Sequence, residues 1–84
     1  MSYDAKYSNQ ASKFLRKLNK DTTKRILDKV NELKENPYPS VSSKVKGTDY
    51  DKVRVGRFRI IYDVDNESKI LGIVKIDKRS RVYD

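Results

Sequence analysis

The spacing of apolar residues changes once along this chain, and that change limits the folds open to it. In residues 8–35 apolar side chains recur every three or four positions, as they do on one face of an amphipathic helix. In residues 52–76 they alternate with polar side chains or form short apolar runs, a pattern typical of β-strands. The 84 residues are enough for one domain. We therefore predict a single α+β domain over residues 1–84, with helices first and most strands last.

Two helices are predicted before residue 37. Ser8 is the expected N-cap of the first and Asp21 that of the second. The second helix should end at Asn36, because a proline such as Pro37 disfavours helical geometry in the residue ahead of it. The link between the helices is short, so they should form an antiparallel hairpin. Their predicted apolar stripes are Ala11, Phe14, Leu15 and Leu18 in the first helix, and Ile26, Leu27, Val30 and Leu33 in the second.

The strands predict an antiparallel sheet. Residues 3–7 alternate and read as a short first strand, whereas residues 37–43 read as a loop held extended by two prolines. Residues 52–55 and 58–62 form a hairpin, since the intervening Gly-Arg pair suits a type II′ turn. Residues 70–76 are apolar on both faces and should lie centrally. The expected order is β-α-α-β-β-β: a sheet of about four antiparallel strands with the helical hairpin packed on one face.

The predicted hairpin places two arginines directly opposite each other. With residues 56–57 in the turn, Arg54 pairs with Arg59, and Lys52 shares their face. Like charges at paired positions destabilise a sheet, at a cost of up to about 1 kcal/mol. Folding alone gives no reason for this arrangement, whereas a phosphate lying between the two guanidinium groups would remove the repulsion. The pairing therefore indicates an anion-binding face.

The overall charge favours the same kind of ligand. Twenty Lys and Arg against twelve Asp and Glu give a net charge of +8, which attracts nucleic acid first, anionic membranes second and acidic proteins third. Five of the seven arginines fall in the last 31 residues, and the planar fork of arginine suits phosphate. The alternative is a solvated surface whose cations point into water or pair with acids such as Asp51 and Asp63.

Several other classes of function are disfavoured by composition. The chain has neither cysteine nor histidine, so a metal site would need carboxylates alone, and these are scattered. We expect no metal and no other cofactor. The first twenty residues are too charged for a signal peptide, and no run approaches the roughly 20 apolar residues that span a bilayer. We therefore expect a soluble, cytoplasmic protein with no membrane partner.

Four segments resemble, in order, motifs of the RelE/ParE toxin superfamily. Residues 47–62 resemble its "RxRxGxYRxxY" core, with Phe58 in place of the first tyrosine. Residues 79–83 resemble its closing "HRxxVY" motif, with Lys78 in place of the histidine. Residues 11–18 and 33–37 stand where the family has its two helices and the proline after them. The resemblance spans essentially the whole chain and implies a compact toxin that is neutralised by a co-expressed antitoxin.

The resemblance is nearest to RelE-type members, which enter the ribosomal A site and cut mRNA without a metal. In that chemistry the ribose 2′-OH attacks the adjacent phosphate and the 5′-oxygen leaves, which requires a proton acceptor, cations and a proton donor. The resemblance implies that Tyr83 handles the 2′-OH proton and that Arg59 and Arg79 hold the phosphate. Arg79 or Lys52 would assist the leaving oxygen, and Arg54 fills the second basic position of the hairpin.

Other basic residues are expected to contact the RNA backbone. Spacing between the last arginine and the tyrosine varies in the family, so Arg81 is the alternative to Arg79. The pKa of free tyrosine is about 10, so Tyr83 would need nearby cations to stabilise its anion. The further phosphate-binding residues are predicted to be Arg57, Lys78, Arg81 and Lys46.

Two other functions stay open. ParE-type members share the fold, lack the catalytic residues and poison DNA gyrase, and a third possibility is a basic RNA-binding module without catalysis. The combination of Arg59, Arg79 and a near-terminal tyrosine favours the RNA-cutting reading. The expected partners are the ribosome with its mRNA and a RelB-like antitoxin. The antitoxin would lay an amphipathic helix on the toxin in a heterodimer or heterotetramer.

Overall fold

The α+β class is confirmed by a computed structural model that describes residues 2–78. Within this range two helices and five strands follow the order β-α-α-β-β-β-β, one strand more than predicted. The extra strand is a two-residue segment at the end of the predicted loop. The elements are β1 (Asp4–Tyr7), α1 (Asn9–Arg16), α2 (Lys20–Glu35), β2 (Ser43–Lys44), β3 (Asp51–Val55), β4 (Phe58–Asp65) and β5 (Ile70–Lys78).

The described strands form one sheet in the spatial order β1-β5-β4-β3-β2. Strands β2 to β5 pair with one another in antiparallel fashion, as predicted. β1 instead runs parallel to β5, a pairing that the alternation in residues 3–7 does not predict. β5 is therefore flanked by strands on both sides, which agrees with its apolar composition on both faces.

Both helices begin at side-chain caps. The Ser8 side chain accepts a hydrogen bond from the Ala11 backbone N–H at 3.1 Å, as predicted. The prediction of Asp21 as the second N-cap is wrong, because Asn19 accepts from the Thr22 N–H at 2.8 Å and starts α2 earlier. Asparagine caps as well as aspartate does. Asp21 lies instead in the first turn of α2, where its charge favours the positive end of the helix dipole.

The helices bury the core against one face of the sheet. α2 ends before Asn36, whose backbone is extended, as the following proline predicts. Leu27 was expected in the buried stripe of α2 but is 37% exposed, because the buried positions follow an i, i+4, i+7 spacing that passes it by. The main core residues are Ile26, Val30 and Leu33 from α2, with Val53, Ile60, Tyr62, Leu71, Ile73 and Ile76 from the strands.

The β3–β4 hairpin has the predicted register. Arg54 pairs with Arg59, and Lys52 pairs with Ile61. Of the two turn residues, both described, Gly56 alone has a positive φ (59°), which is the pattern of a type II′ turn. The turn thereby fixes which side chains of both strands point to the core and which point away.

Tyr62 ties the centre of the sheet to the segment after α2. The side chain is 0% exposed, and its hydroxyl donates a 2.7 Å hydrogen bond to the Pro37 carbonyl oxygen. Burial raises the pKa of the Tyr62 hydroxyl above its ordinary value of 10.0, because a phenolate there would lose its hydration. This contact anchors the beginning of the segment that connects α2 to β2.

Replacing Tyr62 with phenylalanine should lower the free energy of unfolding by about 1–3 kcal/mol, because the buried Pro37 carbonyl oxygen loses its donor. The raised pKa also gives a pH dependence. Above the ordinary tyrosine pKa the unfolded chain releases a proton that the folded chain retains, so wild-type stability should fall as pH rises. Tyr62→Phe should weaken this alkaline dependence. Urea unfolding at neutral and alkaline pH measures both effects.

Tyr38→Phe is the control for that substitution. Tyr38 is 50% exposed, and its hydroxyl accepts a hydrogen bond from Asn66 at the surface, where water can replace it. Its loss should cost less than about 0.5 kcal/mol. Equal losses in the two variants would contradict the role given to the buried hydroxyl.

Candidate nucleic-acid interface

The face of the sheet opposite the helices, here called the outward face, carries a row of charged side chains near the β3–β4 turn. Arg54, Arg59 and Asp77 occupy paired positions on β3, β4 and β5. These three residues are the arginine row. The predicted opposition of the two arginines is confirmed, and their strand neighbours Val53 and Ile60 are buried on the other face.

A second row lies beside the first. Lys52, Ile61 and Lys75 occupy paired positions on the same three strands and form the lysine row. Sequence reasoning missed Lys75 because β5 reads as apolar on both faces. Ile61 pairs with Lys75 but Tyr62 pairs with Ile73, so an irregularity at this point changes the phase of β5. The local alternation of Lys75, Ile76 and Asp77 was the available signal.

Within the arginine row, Asp77 offsets the positive charge of the two arginines. Sequence reasoning also missed this residue. Arg59 donates from Nε to Asp77 Oδ1 at 3.1 Å and from Nη2 to Oδ2 at 2.8 Å. The two side chains are only 23% and 21% exposed. Lys75 Nζ lies 3.6 Å from Asp77 Oδ2, which places a third charged group at the same carboxylate.

The acids named from sequence as alternative partners lie elsewhere. Asp51 is buried and forms an ion pair with Lys44 at 3.3 Å. Asp63 lies opposite Gly72, and its carboxylate occupies the space that a Cβ at that position would need. Neither position coincides with the arginine row.

A cavity of about 490 Å³ opens beside the two rows. Within residues 2–78, β2 pairs with Asp51 and Lys52 alone, so no described strand lies beside the rest of β3 on that side. Helix α2 contributes Lys29 to the lining. The Nζ of Lys29 also lies 3.0 Å from Glu32 Oε1. The cavity volume falls in the range of small-ligand sites. The lining includes Lys29, Val41, Ser43, Lys52, Arg54 and Arg59.

The structure brings Lys52, Arg54 and Arg59 together, as the sequence predicted. Other predicted contacts lie apart from them. Arg57 is exposed in the β3–β4 turn, and Lys46 is exposed in the connection between β2 and β3. Lys78 pairs with Phe58, a core-packed residue, so its register position belongs to the helix-covered face rather than the outward face.

Three predicted site residues, Arg79, Arg81 and Tyr83, lie outside the described residues. The described chain ends at Lys78, which follows Asp77 of the arginine row. Within residues 2–78 no cluster of acidic side chains is arranged to hold a metal ion. Neither of the two helices described is long and apolar enough to cross a membrane.

Comparison with known proteins adds the family. The family described as the ParE toxin of the type II toxin-antitoxin system parDE matches residues 5–83. A curated Escherichia coli protein named for its likeness to RelE toxins is 31% identical over 83 residues, which are 96% of this chain and 87% of that protein. A Methanocaldococcus jannaschii protein named as toxin RelE1 is 30% identical over 87 residues, covering 99% of this chain and 97% of that protein.

A solved structure agrees with these matches. The archaeal RelE–RelB complex from Pyrococcus horikoshii contains a chain that superposes with a TM-score of 0.80 at 30% identity. The match covers 96% of this chain and 99% of that one. With the family match over nearly the whole length, it follows that this chain belongs to the RelE/ParE superfamily of type II toxins.

Proposed function

We propose that this toxin is a metal-independent endoribonuclease that cuts mRNA in the ribosomal A site and so inhibits translation. The observation that carries the proposal is the meeting of Lys52, Arg54 and Arg59 at one cavity along the β3 edge of the sheet. An RNA phosphate in that cavity would contact three cations at once. Charge of this kind stabilises the additional negative charge that develops on phosphorus during the attack.

The residues divide into the roles that the chemistry needs. Arg59 and Arg79 hold the scissile phosphate, and Lys52 or Arg79 donates the proton that the leaving 5′-oxygen takes up. Tyr83 accepts the proton of the attacking 2′-OH, and Arg54 helps to stabilise both the phenolate and the phosphate. Product formation by this route gives a 2′,3′-cyclic phosphate and a free 5′-hydroxyl, with no metal involved.

Basic residues outside the cavity extend the contact with RNA. Arg57 and Lys46 are exposed on the two connections that flank β3, where neighbouring phosphates of a bound strand would pass. Arg81 is the alternative to Arg79 for the catalytic position. Lys78, by its register on the other face, would contact the ribosome or a more distant phosphate rather than the scissile one.

The protein partner we propose is a RelB-like antitoxin in a cytoplasmic heterodimer or heterotetramer. Support comes from the solved RelE–RelB complex of Pyrococcus horikoshii, which contains a chain similar to this one. An amphipathic antitoxin helix would neutralise this chain by covering or displacing its basic surface.

A ParE-like toxin that inhibits DNA gyrase without chemistry is the second candidate, because the matching family is described as the ParE toxin. A basic RNA-binding module is the third. The shared fold does not separate the three, since function here depends on individual side chains. Their predicted phenotypes do separate them.

Expression of the wild-type chain without an antitoxin should stop growth and leave mRNA cut within A-site codons. Tyr83→Phe and Arg79→Ala should restore growth and intact mRNA, because they remove the proton acceptor and a phosphate-binding cation. The matched control is Lys13→Ala, which removes one exposed positive charge from α1 on the other side of the sheet. Growth curves and primer extension on ribosome-bound mRNA measure both results.

The outcomes assign the function. Growth arrest that persists in Tyr83→Phe and Arg79→Ala, with intact mRNA, would overturn the nuclease in favour of gyrase inhibition. Wild-type expression without growth arrest would favour the RNA-binding module. Cleavage lost equally in Lys13→Ala would show that net charge matters rather than these two side chains.

The affinity for RNA should depend on the residues of the cavity more than on net charge. For a single-stranded 2′-O-methyl RNA, which cannot be cut, the slope of log affinity against log salt should flatten by about 0.7 in Lys52→Ala or Arg54→Ala. Each variant removes one phosphate contact. Lys13→Ala should leave the slope unchanged. Fluorescence anisotropy over a range of salt concentrations checks this, and equal slopes for all three variants would refute the placement of RNA at the cavity.

A further inference from the structure

We infer that Asp77 is a positioning residue, whose carboxylate holds the Arg59 guanidinium in the orientation that meets the scissile phosphate. The inference deepens the proposed function and rests on it, since the phosphate belongs to that proposal. Asp77 itself would touch neither the RNA nor the reacting atoms. It would act through Arg59.

The geometry of the pair fixes a plane. Arg59 uses Nε and Nη2 for two parallel hydrogen bonds to the two oxygens of Asp77, at 3.1 and 2.8 Å. A single hydrogen bond leaves a guanidinium able to swing, whereas two parallel bonds fix both its plane and its direction. Both residues lie on paired positions of neighbouring strands inside the sheet, so the backbone that carries them is also rigid.

The pair contributes to a difference between the two opposed arginines. Arg54 is exposed, while Arg59 is partly buried although it stands directly across from the same charge. Repulsion alone would drive both long side chains away from each other and into water. The carboxylate of Asp77 supplies an attraction that helps to keep Arg59 over the sheet, where it lines the cavity.

The chemistry of arginine allows it to serve two anions. A guanidinium carries five N–H groups in one plane, and the bonds to Asp77 engage two of them along the Nε–Nη2 edge. Nη1 belongs to the other end of the fork. Fixing one edge against a carboxylate therefore sets the direction in which the rest of the fork meets a phosphate.

A carboxylate beside a phosphate site also has an electrostatic cost. Asp77 adds one negative charge to the outward face, and its Oδ2 also lies 3.6 Å from Lys75 Nζ. If Asp77 only balanced charge, its removal would strengthen RNA binding and leave cleavage intact or faster. If it positions Arg59, its removal strengthens binding or leaves it unchanged and yet slows cleavage. The two roles predict opposite effects on the chemical step.

The test compares Asp77→Asn with Asp63→Asn in the full chain. Both remove one negative charge from the outward face without changing side-chain size, and Asp63 lies four residues along β4 from Arg59, opposite Gly72. With saturating toxin on programmed ribosomes, the single-turnover cleavage rate should fall about tenfold or more in Asp77→Asn. The rate in Asp63→Asn should stay within about twofold of wild type, because exposed charges are screened. Affinity for the 2′-O-methyl RNA should not fall in either variant.

A second substitution separates the effect of geometry from the effect of charge. NMR spectra separate the orientation of Arg59 from a loss of folding. Asp77→Glu keeps the charge but moves the carboxylate by one methylene, so cleavage should again be slower than in wild type. In NMR spectra, the side-chain Nε–H signal of Arg59 should be sharp and slow to exchange in wild type, and should be lost from that position in Asp77→Asn. Backbone spectra of the same samples show whether each variant is folded.

Several results would overturn the inference. Full cleavage by folded Asp77→Asn, or an Arg59 Nε–H signal that does not change, would reduce Asp77 to a charge-balancing residue. Equal slowing in Asp63→Asn would do the same. Wild-type protein that cuts no mRNA would refute the proposed function instead, and the NMR comparison would then still decide whether Asp77 orients Arg59.

Discussion

The opposition of Arg54 and Arg59 across the β3–β4 hairpin is the constraint around which the outward face is built. It follows from the two-residue turn at Gly56 and from the burial of Val53 and Ile60 on the other face. A register slip of one residue would send the arginines into the core, so hydrophobic burial enforces the repulsive pair. Asp77 on the next strand offsets that repulsion with two hydrogen bonds. Folding and the proposed function thus use the same three side chains.

The other described elements leave this face uncovered. Both helices pack on the other side, where a small core of aliphatic side chains gathers around Tyr62. The hydroxyl of Tyr62 holds the segment that begins at Pro37, and this segment leads to a second strand of only two residues. Because that strand is so short, no strand in the described part of the chain pairs with β3 beyond Lys52, and the cavity lies there. The cavity is therefore a consequence of short sheet pairing, with cations already placed by the hairpin.

Much of this architecture could be predicted from local sequence, and the failures have a common cause. Ser8, the end of α2 and the hairpin register follow from neighbouring residues, and all were predicted correctly. Pairing between distant strands has no such local signal, so the parallel β1–β5 pair went unpredicted. The phase of β5 likewise depends on how it meets β4, which is why Asp77 and Lys75 were missed. At Leu27 and at Asp21 the local sequence allowed two nearly equal choices. Tertiary packing left Leu27 outside the buried stripe, and the earlier cap at Asn19 took the N-cap position predicted for Asp21.

Membership of the superfamily does not by itself distinguish RNA cleavage from the binding of another polyanion or protein. A surface that only binds phosphate needs positive charge in the right region, and mobile side chains supply it well, since each can follow its ligand. Such a surface is weakened by an acid among its cations. A surface that stabilises a transition state needs a cation at one fixed position, because the gain depends on geometry reached before the reaction begins. The doubly hydrogen-bonded Arg59, held by an acid that opposes simple binding, fits the second requirement better than the first. That is the physical reason to favour chemistry over binding at this face.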